Sequence, residues 1–156
     1  MRAVHAQSAD PYFATFSANY DVIYHETGDT SNAGAHFDVA TTVKRDIPFV
    51  SALGEVGFNH FPGATVASVM GGARLRIPLE DDRFLPFGQF LVGLYHCGAC
   101  SLNDFALQAG GGVDFRMRRR NFRLRAQVDF RHVFDTFADF NAVRLSGGIV
   151  FPLNRR

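Results

Sequence analysis

Three sets of residues have chemistry to offer: charges recurring at every second position, two cysteines three apart, and six histidines. Asp21, Asp38, Glu55, Asp114 and Asp129 alternate with apolar neighbours, as do Lys44, Arg74, Arg76, Arg116, Arg123, Arg125, Arg131 and Arg144. In an extended chain such residues share one face. If that face is enclosed, each charge needs a partner, because an unpaired buried charge costs several kcal/mol. The expectation is therefore a network of ion pairs filling an interior. The competing reading lines a narrow water or ion path with the same groups, and its excess of arginine would favour anions.

Cys97 and Cys100 stand in the sequence C-G-A-C between two extended segments. A loop facing an oxidising exterior makes a local disulfide the default. A redox thiolate would need a helix N-terminus, which nothing nearby supplies. A metal site built from His96 and the two cysteines lacks a fourth ligand, so neither metal nor cofactor is expected. Of the histidines, His36 falls on a polar face, His132 on an apolar face near a strand end, and His25, His60 and His96 near loops. None has a serine and a carboxylate at a spacing that would assemble a catalytic triad, so no catalytic residue is assigned and no enzyme is expected.

The elements that must position these groups are strands. Period-two alternation runs along the chain, and no window carries an apolar stripe at i, i+3, i+4 and i+7. Eight strands of about ten to thirteen residues are expected, longer than the usual five or six and long enough to cross a bilayer at a tilt. The first, about Tyr12 to Tyr24, sets Phe16, Tyr20 and Val22 against Thr15, Ser17, Asn19 and Asp21. The second covers about Gly34 to Lys44, and Arg45 to Pro48 forms a turn before the third, in which Leu53 interrupts the alternation. The fourth carries Arg74 and Arg76; the fifth, about Leu85 to His96, is the least regular. The sixth contains Gln108 and Asp114, and the seventh alternates Phe122, Leu124, Ala126, Val128 and Phe130 with Arg123, Arg125, Gln127, Asp129 and Arg131. The eighth runs from about Val143 to Leu153.

A length of 156 residues allows one domain, and 16 basic against 15 acidic side chains, for a net charge of +1, give no global field that would recruit nucleic acid. Lys44 is the only lysine, a skew that suits enclosed ion pairs and that biased base composition also produces. No run reaches the roughly 18 apolar residues of a transmembrane helix. Residues 1–11 are expected to be the remnant of a signal peptide or a flexible terminus, and 12–156 the folded domain.

Alternation has two inside-out solutions, a membrane barrel with lipid on its apolar face and a soluble calycin-like barrel with an apolar ligand inside. Lipid outside is favoured by the Gly, Ser and Thr on the polar face, which suit a cramped lumen. Aromatic residues also gather at the strand ends, with Tyr12, Phe13, Phe49, Phe115, Phe122 and Phe151 toward one rim and Tyr24, Phe58, Tyr95, Phe105 and Phe134 toward the other.

Ser146, Gly148, Phe151 and Leu153 follow the order polar, x, Gly, x, x, aromatic, x, apolar. That spacing resembles the assembly signal in the last strand of outer-membrane barrels, and Gly110 to Phe134 resembles the closing hairpin of porin-like β-barrel proteins. From Tyr12 onward the chain is similar to the small eight-stranded family typified by the membrane domain of outer-membrane protein A. Asn154, Arg155 and Arg156 depart from it, since family members often end on the aromatic. The resemblance implies an all-β, eight-stranded antiparallel up-and-down transmembrane barrel in the outer membrane of a Gram-negative bacterium, made as a precursor with a signal peptide. It also implies contact with outer-membrane lipid and the barrel assembly machinery, a monomer, and both termini on the periplasmic side. Some members act on lipid A acyl chains, but the histidines and serines here do not match such a site. What remains is a structural or interaction role.

Overall fold

The structure, a computed structural model, describes residues 12–24, 28–44, 47–61, 64–77, 79, 83–98, 102–117, 121–135 and 138–153, with the side chains of Lys44, Ile47, Pro48, Phe61 and Leu102 left aside. The polar-apolar alternation becomes eight strands: β1 Tyr12–Tyr24, β2 Thr30–Lys44, β3 Ile47–Phe61, β4 Ala64–Arg76, β5 Phe84–Cys97, β6 Leu102–Arg116, β7 Arg123–Phe134 and β8 Phe140–Pro152. Each pairs antiparallel with its sequence neighbours, and β8 returns to β1, so the sheet closes into a barrel with no free edge. Closure pairs every strand on both sides, which is the condition for placing strands in hydrocarbon.

Pairing around the cylinder leads from Phe13 through Ala40, Leu53, Gly72, Leu91, Gln108, Arg131 and Ala142 to Ile23, ten residues higher on β1 (23 − 13 = 10). This stagger tilts the strands by about 40° and leaves an interior just wide enough for side chains.

The inside-out question is settled by exposure. Phe16, Phe37, Phe58, Val69, Phe90, Leu94, Val128, Phe130 and Leu145 are outward and exposed, whereas Asp38, Glu55, Arg74, Asp114, Asp129 and Arg144 are buried. An apolar exterior of this extent has no stable arrangement in water, and the calycin-like alternative is overturned. At the terminal end the belt is bounded by Phe49, Phe84, Phe115, Phe122 and Phe151, with ring pairs Phe84–Phe115 at 5.6 Å and Phe122–Phe151 at 6.5 Å. At the other end stand Tyr24, Phe105 and Phe134, the last two 5.8 Å apart. About ten tilted residues separate these girdles, a span of about 25 Å that matches a bilayer's apolar slab.

Four expectations are corrected. Phe13 and Tyr95 belong to the lumen rather than the rims, with 1% and 5% exposure, because their positions share the parity of the charged residues. Leu53 does not interrupt the alternation; it is an apolar residue at an inward position, 5% exposed. β2 begins at Thr30 rather than Gly34, where Ser31 and Asn32 pair with Val22 and Asp21 although both faces are polar. β3 begins at Ile47, inside the segment expected to turn, and a register shift between Thr42 and Lys44 accommodates the tight connection. Residues 1–11 lie outside the described residues.

Candidate functional site: the lumen network

Inward positions of seven strands assemble one polar chain along the lumen. It begins with Arg131 on β7, whose Nη2 lies 3.7 Å from Glu55 on β3. Glu55 receives Arg144 of β8 in a forked pair, Nη1 to Oε1 at 2.7 Å and Nη2 to Oε2 at 2.9 Å. The same guanidinium donates to Asp129 Oδ2 from Nε at 3.0 Å and Nη2 at 2.8 Å. Asp129 Oδ1 then accepts from Gln89 Nε2 at 3.1 Å, and Gln89 Oε1 accepts from Arg74 Nε at 3.0 Å and Nη2 at 2.7 Å. Arg74 donates to Asp38 at 3.3 Å, Asp38 accepts from Arg125 at 3.2 Å, and Arg125 closes on Asp114 at 2.7 and 2.9 Å. Charge therefore alternates along the chain, with Gln89 as a neutral relay between two four-residue clusters. Forked arginine-carboxylate pairs fix geometry as well as energy, which a lysine could not do.

Beside this chain lies a third group. Asp21 accepts from Asn19 and Asn59, each at 2.7 Å, and His36 Nδ1 lies 3.5 Å from Asn19 Oδ1. Asp21 is thus held by amides where the sequence suggested ion pairing.

Aromatic faces complete the lumen. The guanidinium of Arg76 sits 3.7 Å and that of Arg123 5.5 Å from the ring centre of Phe13; Arg74 and Arg125 flank Phe87 at 4.8 and 4.5 Å. Cation–π contact of this kind compensates a desolvated guanidinium that lacks a full set of carboxylates. Toward the loop end the interior turns apolar, with Ile23, Val66, Tyr95, Val133, Phe140 and Ala142 buried together and the Tyr95 and Phe140 rings 5.7 Å apart edge to face. Sequence reasoning missed this cap and the Phe87 sandwich, although the parity of Phe13, Phe87 and Tyr95 relative to the charges could have shown them.

Of the charges expected inside, Asp21, Asp38, Glu55, Arg74, Arg76, Asp114, Arg125, Asp129, Arg131 and Arg144 are buried. Arg116 is exposed and Arg123 half-buried; they pair across the end of β6 and β7, past the enclosed layer, and belong to the rim. The side chain of Lys44 lies outside the described residues. Among the described residues the buried charges are five arginines against six carboxylates, the sixth being Asp104. Small residues make the room. A Cβ on Gly110 would strike the Asp129 carboxylate and the Val128 carbonyl, and one on Gly148 would strike Ser17 and the Phe16 carbonyl.

In the last strand Ser146 and Gly148 are half-buried and turn inward, whereas Phe151 and Leu153 are exposed at the terminal end. Cys100 lies outside the described residues, so its pairing with Cys97 is not placed. No group of three or more His, Cys, Asp or Glu able to hold a metal ion occurs among the described residues, and none of them forms a helix long and apolar enough to cross a membrane.

A closed eight-stranded barrel with an apolar belt, two girdles and a charged interior defines the class of small outer-membrane β-barrel proteins. Solved structures of that class share the fold. Neisserial surface protein A superposes with a TM-score of 0.76 at 11% identity, over 92% of this chain and 97% of that one. The outer membrane enzyme PagL gives 0.59 at 14% identity over 89% and 99%, and Ail, the attachment invasion locus protein of Yersinia pestis, 0.55 at 12% over 90% and 97%. No family model matches the chain, and no curated protein matches it in sequence.

Proposed function

We propose that the protein is a closed, non-conducting outer-membrane barrel with a structural or interaction role, its lumen plugged by the ion-pair chain and its work done at the membrane surface. The observation that carries this reading is the mutual pairing of the enclosed charges across the lumen. Arg74, Arg125, Arg131 and Arg144 each meet a carboxylate across or along the wall, and the apolar cluster around Tyr95 and Phe140 narrows the lumen beyond them. The structural neighbours differ in role, since PagL is an outer membrane enzyme and Ail an attachment invasion locus protein, so the fold by itself assigns no activity. Absence of a nucleophile–base–carboxylate grouping in the sequence supports a non-enzymatic role, and no cofactor or nucleic-acid partner is invoked.

A narrow, anion-preferring pore is the second reading. It draws on lumen hydroxyls without a protein partner, Thr15, Ser17, Ser51 and Ser146, which are places for ordered water. Planar-bilayer recording under a KCl gradient separates the two. The plugged barrel gives no steady current above the bare membrane, and a stable conductance with an anion-selective reversal potential would replace it with the pore.

The same reading includes three further assignments. The exposed Phe151 and Leu153, with Ser146 and Gly148, form the signal read by the barrel assembly machinery. A barrel with no free edge works as a monomer, oriented with both termini in the periplasm. Cys97 and Cys100 form a disulfide in the outer loop, which intact mass with and without reductant reads directly.

A further inference from the structure

Polar residues on the outer face repeat at the loop-side girdle. His60 on β3 stands directly opposite Thr65 on β4, His96 on β5 opposite Asn103 on β6, and His132 on β7 opposite Asn141 on β8. In each pair the histidine Nδ1 meets the partner oxygen, at 3.4 Å for Thr65, 2.9 Å for Asn103 and 2.8 Å for Asn141. All three rings have the parity of the lipid-facing residues, and the His132 ring packs edge-on against the girdle residue Phe134 at 4.4 Å. An amide carbonyl only accepts, so at His96 and His132 the proton sits on Nδ1 and Nε2 is left for a partner beyond the pair.

The charge of this end makes the repeat informative. Residues 24–33, 59–66, 96–105 and 132–142 contain no lysine or arginine, only Glu26, Asp29, Asp104, Asp135 and Asp139. Among the described residues the arginines lie instead at lumen positions of the strands or toward the opposite end, as Arg83, Arg116 and Arg123 do. Histidines are therefore the only side chains at the loop end that can become cationic. Around them, the flanking strands present Ala33 of β2 to His60, Ala67 of β4 to His96 and Leu107 of β6 to His132. The facing carboxylate is Asp139, whose Oδ2 lies 3.9 Å from His132 Nε2. Asp104 is on the inner face, and Asp135 follows β7 beyond Phe134.

We propose that the three histidine pairs are binding sites for the phosphate of anionic lipid headgroups in the loop-side leaflet, engaged when the imidazoles are protonated. While a ring is neutral it offers no charge to an anionic headgroup, and the carboxylates of this end repel one. A protonated ring turns Nε2–H into a cationic donor near the girdle, while the Thr or Asn partner holds the ring in place. His60 and His96 offer this donor directly; His132 shares it with Asp139. The inference rests on lipid facing the outer surface and is independent of whether the lumen conducts.

The test uses the whole barrel in phosphatidylcholine vesicles doped with spin-labelled phosphatidylglycerol, whose charge is constant between pH 5 and 8, and measures that lipid's selectivity for the protein's boundary shell. Lowering the pH from 7.5 to 5 is expected to raise selectivity roughly three-fold, in keeping with the modest strength of interfacial ion pairs. A His60→Gln, His96→Gln, His132→Gln variant keeps the cross-strand hydrogen bonds without the charge and is expected to lose the rise, with heat-modifiable migration confirming that it is folded. If the triple variant does not fold, single variants read the same effect as partial losses. Selectivity that is flat with pH, or a rise that persists without the histidines, overturns the proposal. So does abolition of the rise by millimolar inorganic phosphate, which would mark a site for the free anion.

Discussion

Arg144 is the junction of the upper lumen cluster, donating two hydrogen bonds to Glu55 and two to Asp129 with 2% of its side chain exposed. Replacing it with methionine keeps most of the volume and leaves Glu55 with Arg131 at 3.7 Å and Asp129 with its two glutamine donors. Removing one partner of a buried pair costs about 3–5 kcal/mol, and at a mid-range urea slope near 2 kcal/mol/M this lowers the unfolding midpoint by about 1.5–2.5 M. A double variant, Glu55→Gln with Arg144→Met, separates charge from packing. Asp129 would retain the Gln127 donor at 2.7 Å and the Gln89 donor at 3.1 Å, so more than half of the lost stability is expected to return. Because the chain has no tryptophan, unfolding in lipid vesicles is followed by far-ultraviolet circular dichroism and by electrophoretic mobility. A single variant within about 1 kcal/mol of the parent at an unchanged slope would refute the claim that these charges are dry and mutually dependent.

Two more predictions probe the exterior and the packing. Val128→Arg, at mid-belt and 50% exposed, is expected to cost about 2–4 kcal/mol in vesicles, whereas Phe134→Arg at the girdle costs about 1 or less beyond the lost ring contact; equal costs would sink the assigned depth. Gly110→Val is expected to abolish refolding, because its side chain would occupy the place of the Asp129 carboxylate and the Val128 carbonyl, while Gly54→Val, with open space on the outer face, refolds like the parent; the yield of heat-modifiable barrel reads both.

What the sequence revealed, and what it hid, follows from one physical feature. Where lipid meets one face and the lumen the other, as along Arg123 to Phe134, contrast between neighbours is maximal and the strand reads directly. Where both faces are polar, as at Thr30 to Ala33, the ladder continues but the contrast vanishes, and the segment looks like loop. The reverse happens with apolar residues inside. Leu53, Leu91, Tyr95 and Phe140 fill the lumen, so hydrophobicity alone points them the wrong way, and parity relative to Glu55, Gln89 and Arg144 is what places them. Partners were harder still. Arg144 and Glu55 are 89 positions apart and meet only because the ten-residue stagger brings β8 and β3 to one height. Composition shows that the charges can balance, and only closure shows which ones touch.

That stagger also explains why the network is a chain rather than a set of isolated pairs. Residues directly opposite in a ladder lie side by side on the wall, as Asp114 and Arg125 do, and would pair in any antiparallel hairpin. Contacts across the lumen, Arg125 with Asp38 and Arg144 with Glu55, need long side chains meeting near the axis from strands that share no hydrogen bond. A lone hairpin can make only the first kind, so the cross-lumen pairs become available when the last strand closes on the first. Closing the cylinder therefore stabilises charges that the open sheet would leave hydrated, and ion pairing and barrel closure become a single cooperative event.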